Sequence, residues 1–205
     1  MTTRQSVVPP NLPLAPKEYD SRYVEQLNNV QRLFYNSVSN RLNLPYPYGQ
    51  FYTTGDVTLS ASTINKGQPI TFANTSASYN TYLGTIQSKI YVAETGIYNV
   101  QFSAQCDVTS GGRQTFYFWI RQNGADVPST SGKVAVSATT PTMAAWNYIL
   151  PLQQGDYIQL VWGCSDTHAT LVYENAVTTG FIRPALPAVI LTISWVSPYN
   201  PSVST

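Results

Sequence analysis

Two stretches restrict this chain more than any others: Gly96-Ile97-Tyr98-Asn99-Val100-Gln101-Phe102 and Gly155-Asp156-Tyr157-Ile158-Gln159-Leu160-Val161. Each leaves a glycine turn and then runs in period two, the pattern of an antiparallel strand with one face on a core. Similar runs recur at 56–60, 70–73, 86–92, 97–106, 115–122, 134–138, 144–152, 157–164, 170–173 and 188–196. Turn residues separate them, among them Asn65-Lys66-Gly67, Ser110-Gly111-Gly112, Asn123-Gly124 and Gln153-Gln154-Gly155. Ten short strands in roughly 150 residues predict an all-β, antiparallel jelly-roll sandwich.

With 43% hydrophobic residues the chain can bury one sizeable core, but only 10% of it is charged, against about 25% in an ordinary soluble domain. Its solubility therefore falls to Ser, Thr, Asn and Gln. A net charge of +1 supplies no field to attract nucleic acid. No apolar run reaches the length of about 18 residues expected of a membrane-spanning helix, and Met1-Thr2-Thr3-Arg4 leads into no apolar signal core. Synthesis in a cytoplasm, without a signal-peptide route, is the expectation. Two cysteines are too few for a disulfide framework. Cys106 and Cys164 each continue the apolar face of a strand and read as buried thiols, with a disulfide or a reactive thiol as alternatives.

Pro9, Pro10, Pro13 and Pro16 make residues 1–16 an extended arm without ladder hydrogen bonds. Tyr23, Leu27, Val30 and Phe34 then recur at spacings of four, three and four, which predicts an apolar-striped helix over 18–42, about 37 Å long. That stripe suits either packing on the chain's own β-domain or self-association. Leu44-Pro45-Tyr46-Pro47-Tyr48-Gly49 stops the helix, dividing an anchor, 1–49, from a head, 50–205.

Two predicted strands are apolar or aromatic on both faces: Thr115-Phe116-Tyr117-Phe118-Trp119-Ile120 and the run from Ala188 to Val196. The outer face of a lone antiparallel sandwich should be polar. The surplus points to a subunit contact, or to a covering loop or the N-terminal helix.

Phe116 to Gly124, with its closing Asn-Gly turn, the Leu152-Gln153-Gln154-Gly155-Asp156 turn before Tyr157 and the Gly96-Ile97-Tyr98 opening together resemble the globular heads of complement and tumour-necrosis-factor-like proteins. The resemblance covers about 55–196 and implies a ten-stranded jelly roll assembled as a trimer around an aromatic-lined axis. It places Phe116, Phe118, Trp119, Ile120, Tyr148, Ile190 and Trp195 at the subunit contact. The sequence has neither a collagen-like stalk nor a signal peptide before this head; a proline arm and a helix stand there instead. In that it looks like the versions of the head carried on tailed bacteriophage particles. A non-enzymatic structural role is expected: a trimeric capsid decoration protein or head fibre on the virion surface, joined to other virion proteins through 1–42. The alternative is a tail-fibre tip or lectin-like head that recognises a host-surface glycan.

Chemistry-bearing residues are sparse. Ser165-Asp166-Thr167-His168 contains the members of a hydrolase triad, but neighbours in a turn rarely converge on one reacting atom, so no catalytic residue is assigned and an exposed loop is expected. Asp107, Asp126, Asp156 and Asp166 fall at strand ends without the ligand density of a calcium loop; no metal and no cofactor are expected. Tyr79 and Tyr82, read as part of a polar loop over 74–82, are the candidates for an outside ligand, because tyrosine supplies rigid amphipathic contact area.

Overall fold

The structure, a computed structural model, describes residues 8–14 and 16–199. The chain forms two compact units, Met1–Pro45 and Tyr46–Thr205.

In the first unit, α1 spans Ser21–Leu42. It begins later than predicted because Asp20 is extended and caps it: the Asp20 carboxylate accepts from the Arg22 N–H at 2.8 Å. At the far end the Asn43 N–H donates to the Ser39 carbonyl, and Pro45 prevents continuation. Tyr23, Leu27, Val30 and Phe34 share a half-buried stripe that Val38 extends, and no residue of α1 is fully buried. Pro9, Pro10, Pro13 and Pro16 lie in irregular backbone, while residues 1–7 and Ala15 of the predicted arm fall outside the described residues.

The second unit is the predicted antiparallel jelly-roll sandwich, with fourteen strands described instead of ten because short pieces such as β3, β5 and β9 also pair. Its strands are β1 (Tyr48–Thr53), β2 (Val57–Thr58), β3 (Gln68–Pro69), β4 (Asn74–Tyr79), β5 (Thr81–Leu83), β6 (Ile90–Val92), β7 (Gly96–Val108), β8 (Gln114–Gln122), β9 (Ala125–Asp126), β10 (Gly132–Val136), β11 (Thr142–Leu152), β12 (Tyr157–Gly163), β13 (Ala169–Leu171) and β14 (Val189–Ser197). In one sheet β11 and β14 flank β7, β1 lies beyond β14 and β4 beyond β1, while β13 and β2 extend the ladder past the end of β14. The other sheet runs β10-β8-β12-β6-β5, with β3 on β12 and β9 on β8. Every one of these pairings is antiparallel.

The alternating residues meet between the sheets. Tyr98, Val100 and Phe102 from β7 face Phe116, Phe118 and Ile120 from β8, and the Phe102 and Phe118 rings lie 5.2 Å apart. Cys106 and Cys164 are free, buried members of this core; burial pushes the Cys106 thiol up to about 12, which removes thiolate reactivity.

The motifs of the sequence have local causes. A side chain at Gly96 would lie 1.9 Å from the Trp195 Nε1, so glycine is what admits that indole. Two residues on, the wholly buried Tyr98 donates its hydroxyl to the Glu94 carbonyl at 2.7 Å; burial first, and Glu94 second, raise its pKa well above the usual tyrosine value. Asn123 and Gly124 both take positive φ, 51° and 88°, as a two-residue hairpin turn requires. That turn is bonded to the second one: Asp156 accepts from the Asn123 side chain at 2.7 Å, and Asn123 accepts from the Tyr157 N–H at 3.0 Å.

Three expectations need correction. The segment 70–73 is not a strand, although Ile70 and Phe72 are buried and their N–H groups donate to the Leu160 and Gln87 carbonyls. The head begins at Tyr46, not residue 50: β1 sits between β14 and β4, and its aromatic residues on both faces hid the alternation. The segment 74–82 is not a loop but two strands in different sheets, joined at Asn80 with φ 53°.

Candidate functional site

Of the seven residues expected at a subunit contact, Phe116, Phe118 and Ile120 are completely buried in the single chain. They have no surface to offer a partner, because the inward parity of β8 is the core face. Trp119, on the outward parity, is roofed in part by the segment around Gly67: an added Cβ there would lie 2.3 Å from its ring. Tyr148 points inward along β11, stacked 6.3 Å from Phe102, and burial pushes its hydroxyl up to about 12. Trp195 stacks on Tyr46 at 4.8 Å. Ile190 alone of the seven faces outward from the first sheet, half-buried.

The outward face around Ile190 is built from alternate residues of β11, β7, β14 and β1. Register sets its rows: Ile149, Asn99, Ser194 and Tyr48 lie side by side, then Asn147, Gln101, Thr192 and Gln50, then Ala145, Ser103, Ile190 and Tyr52. None of these side chains carries a charge. Met143 and Ile149 on the edge strand β11 are each 59% exposed, and Tyr48 is exposed with them. The Asn99 Oδ1 is buried in this face with no hydrogen-bond partner among the described residues. A signal for this surface stood in the sequence: Met143-Ala144-Ala145-Trp146 and Ile149-Leu150-Pro151-Leu152 put apolar groups on both parities of one strand.

Tyr79 and Tyr82 do not converge. Tyr79 packs beside Tyr48 at 6.4 Å on the first sheet, whereas Tyr82 stacks on Tyr91 at 5.5 Å on the second. Tyr91 in turn meets Tyr157 at 5.3 Å, and Lys89 Nζ lies 4.3 Å over the Tyr157 ring.

The carboxylates at strand ends are each engaged locally. Asp107 accepts from the Val108 N–H, Asp126 from Trp119 Nε1 and Arg121 Nε, and Asp156 from Gln122, Asn123 and the Gln153 N–H. Among the described residues no three His, Cys, Asp or Glu side chains gather as a metal site. Asp166 accepts from the His168 N–H at 2.9 Å and lies 2.7 Å from His168 Nδ1. The backbone hydrogen bond first, and the imidazole second, hold its carboxyl below the usual range. Gln114 donates to its other oxygen, so this pair fastens an exposed turn, with no nucleophile bonded to the imidazole among the described residues.

No family model matches the chain, and no curated protein matches its sequence. Among solved structures, the globular domain of zebrafish complement 1qA protein aligns with 76% of this chain and 100% of its own length, at 13% identity and a TM-score of 0.46. Two crystal structures of murine APRIL, at pH 5.0 and pH 8.5, align with 74% of this chain and 100% of their own, at 9% and 10% identity and TM-scores of 0.49 and 0.47. The jelly-roll assignment itself stands on the strand pairing.

Proposed function

We propose that this is a non-enzymatic structural protein of a bacteriophage particle, a trimeric surface head held to the virion by its N-terminal segment. The observation that carries the reading is the uncharged block that those three rows form on the outer face of the first sheet. Interface cores are depleted in charge and enriched in aromatic residues and methionine, because no ion then has to be stripped of water when the surfaces meet. Ile149, Met143 and Tyr48 supply apolar contact area, and a neighbour's donor would relieve Asn99. The apolar stripe of α1, buried nowhere within its own helix, is the element suited to bind other virion proteins. No described helix is long and apolar enough to cross a membrane, and the reading needs none.

Light scattering on the full chain tests the association. The wild type should weigh three protomers, and Met143→Asp with Ile149→Asp should give a folded monomer. A wild-type monomer overturns the trimer. Particles from a host that expresses the gene test the attachment: disrupting the stripe with Leu27→Asp and Phe34→Asp should empty particles of the protein while the head still folds. Normal incorporation of that variant overturns the anchor.

A further inference from the structure

The outer face of the second sheet holds a cleft of about 480 Å³, within the range of about 300–1,000 Å³ typical of small-ligand sites. Its floor is the outward parity of β8 and β12, where Thr115, Tyr117 and Trp119 lie beside Gly163. Trp119 is fixed: its Nε1 donates to Asp126 at 2.9 Å, and its far edge fills the space that a side chain at Gly67 would need. The wall is fixed as well. The Asn65 N–H donates to the Cys164 carbonyl at 2.9 Å, and the Lys66 N–H closes a turn on Thr63. A Cβ on Gly163 would press on the Lys66 carbonyl at 3.2 Å, so glycine there brings wall and floor together. The cleft therefore exists without rearrangement.

Its lining is specific in chemistry. Tyr117 is 43% exposed, and its ring and hydroxyl have no partner among the described residues. Lys66 and Arg113 stand at the rim, and neither is ion-paired among the described residues; Lys66 Nζ is held by the Ser62 carbonyl. The two carboxylates bonded to lining residues are both engaged: Asp166 by His168 and Gln114, and Asp126 by Trp119 and Arg121. Thr115, Ser165, Asn65, Gln114 and Cys164 complete the lining.

We infer that this cleft binds an acidic saccharide. An exposed tyrosine ring suits the C–H face of a pyranose; the surrounding hydroxyl and amide residues suit its hydroxyl edges, and two cations without an ion pair among the described residues suit a carboxylate. A free inorganic anion would leave the aromatic floor unused, and a neutral sugar would leave the two cations unused. The cleft lies on the opposite sheet from the face assigned to self-association, so the two readings fail separately.

Calorimetric titration of the full-length protein tests it, with sialyllactose and trigalacturonate as acidic probes, lactose and maltotriose as their neutral counterparts, and uridine monophosphate as a nucleotide. At least one acidic probe should saturate, binding about tenfold or more tighter than its neutral counterpart. Tyr117→Ala should weaken it about tenfold or more, and Lys66→Gln with Arg113→Gln should abolish the preference for the acidic sugar. Both changes lie on exposed side chains, and an unchanged thermal melt confirms the fold. The inference is overturned if neither acidic probe saturates by about 10 mM, if neutral sugars bind equally well, if uridine monophosphate binds tighter, or if binding survives Tyr117→Ala undiminished.

Discussion

The two outer faces of the sandwich obey the same alternation and end in opposite states. On the first sheet, the side chains of the three rows that point away from the core are amides, hydroxyls, two tyrosines and isolated apolar groups, half-buried or exposed and lying row beside row. On the second, the chain returns across its own sheet. The segment around β3 covers Val161 and part of Trp119, Ser88 accepts from the buried Gln159 at 2.9 Å, and what remains open is a cationic cleft. Alternation thus decides which residues face out, but not whether the outside is solvent, a partner or the same chain. The outward apolar side of β8 meets the segment around Gly67, while the most exposed apolar side chains of the first sheet, Met143 and Ile149, are carried by β11.

The contrast can be broken most severely at the shared core. Phe118→Ala removes a ring lying 5.2 Å from Phe102 and 5.9 Å from Trp146, and should cost about 3–5 kcal/mol of folding stability, read by denaturant unfolding. If Phe118 were instead at a subunit contact, the loss would appear in the oligomer mass with the monomer's stability intact.

Gly67→Ala comes next. Its Cβ would fall 2.3 Å from the Trp119 ring, so the wall or the indole must shift, at about 1–3 kcal/mol, and saccharide binding should fall with it. The first sheet should be indifferent: trimer mass is expected to be unchanged, and a loss of mass would mean that the two faces communicate.

Ile149→Asp should do the reverse. On an exposed site the folding stability of the monomer should move by only about 0.5 kcal/mol, while self-association is lost and the cleft titrates as before. Sedimentation at several concentrations separates the two quantities.

The smallest effect is electrostatic and confined to the second sheet. The hydrogen bond from Trp119 first, and that from Arg121 with its charge, hold the Asp126 carboxyl below its usual range. A depressed folded value means that the stabilisation is complete above the unfolded carboxylate value of about 3.9 and is lost as pH falls through the folded one. Between pH 5 and 8 Asp126 therefore stays ionised and should give the cleft no pH dependence. Below about pH 4 Trp119 should loosen, visible as a fluorescence change that Asp126→Asn shows already at neutral pH.

The residues themselves determined the local structure. Gly96, Tyr98, Asn123-Gly124 and Gly155-Asp156 specify turns and strand starts through steric and hydrogen-bonding requirements a few residues long, and Tyr23, Leu27, Val30 and Phe34 specify a helix by periodicity. Asp20 moved its start, a capping detail that was equally present in the chain. Long-range pairing decided the rest. Tyr48–Thr53 became an inner strand only because β14 and β4 bond to it on either side, and Tyr79 and Tyr82 parted because Asn80 passes the chain from one sheet to the other. Cleft and bare face alike depend on which segment returns over which sheet. Period two carries the parity of each side chain, whereas coverage is set by contacts between residues tens of positions apart, which only the folded chain brings together.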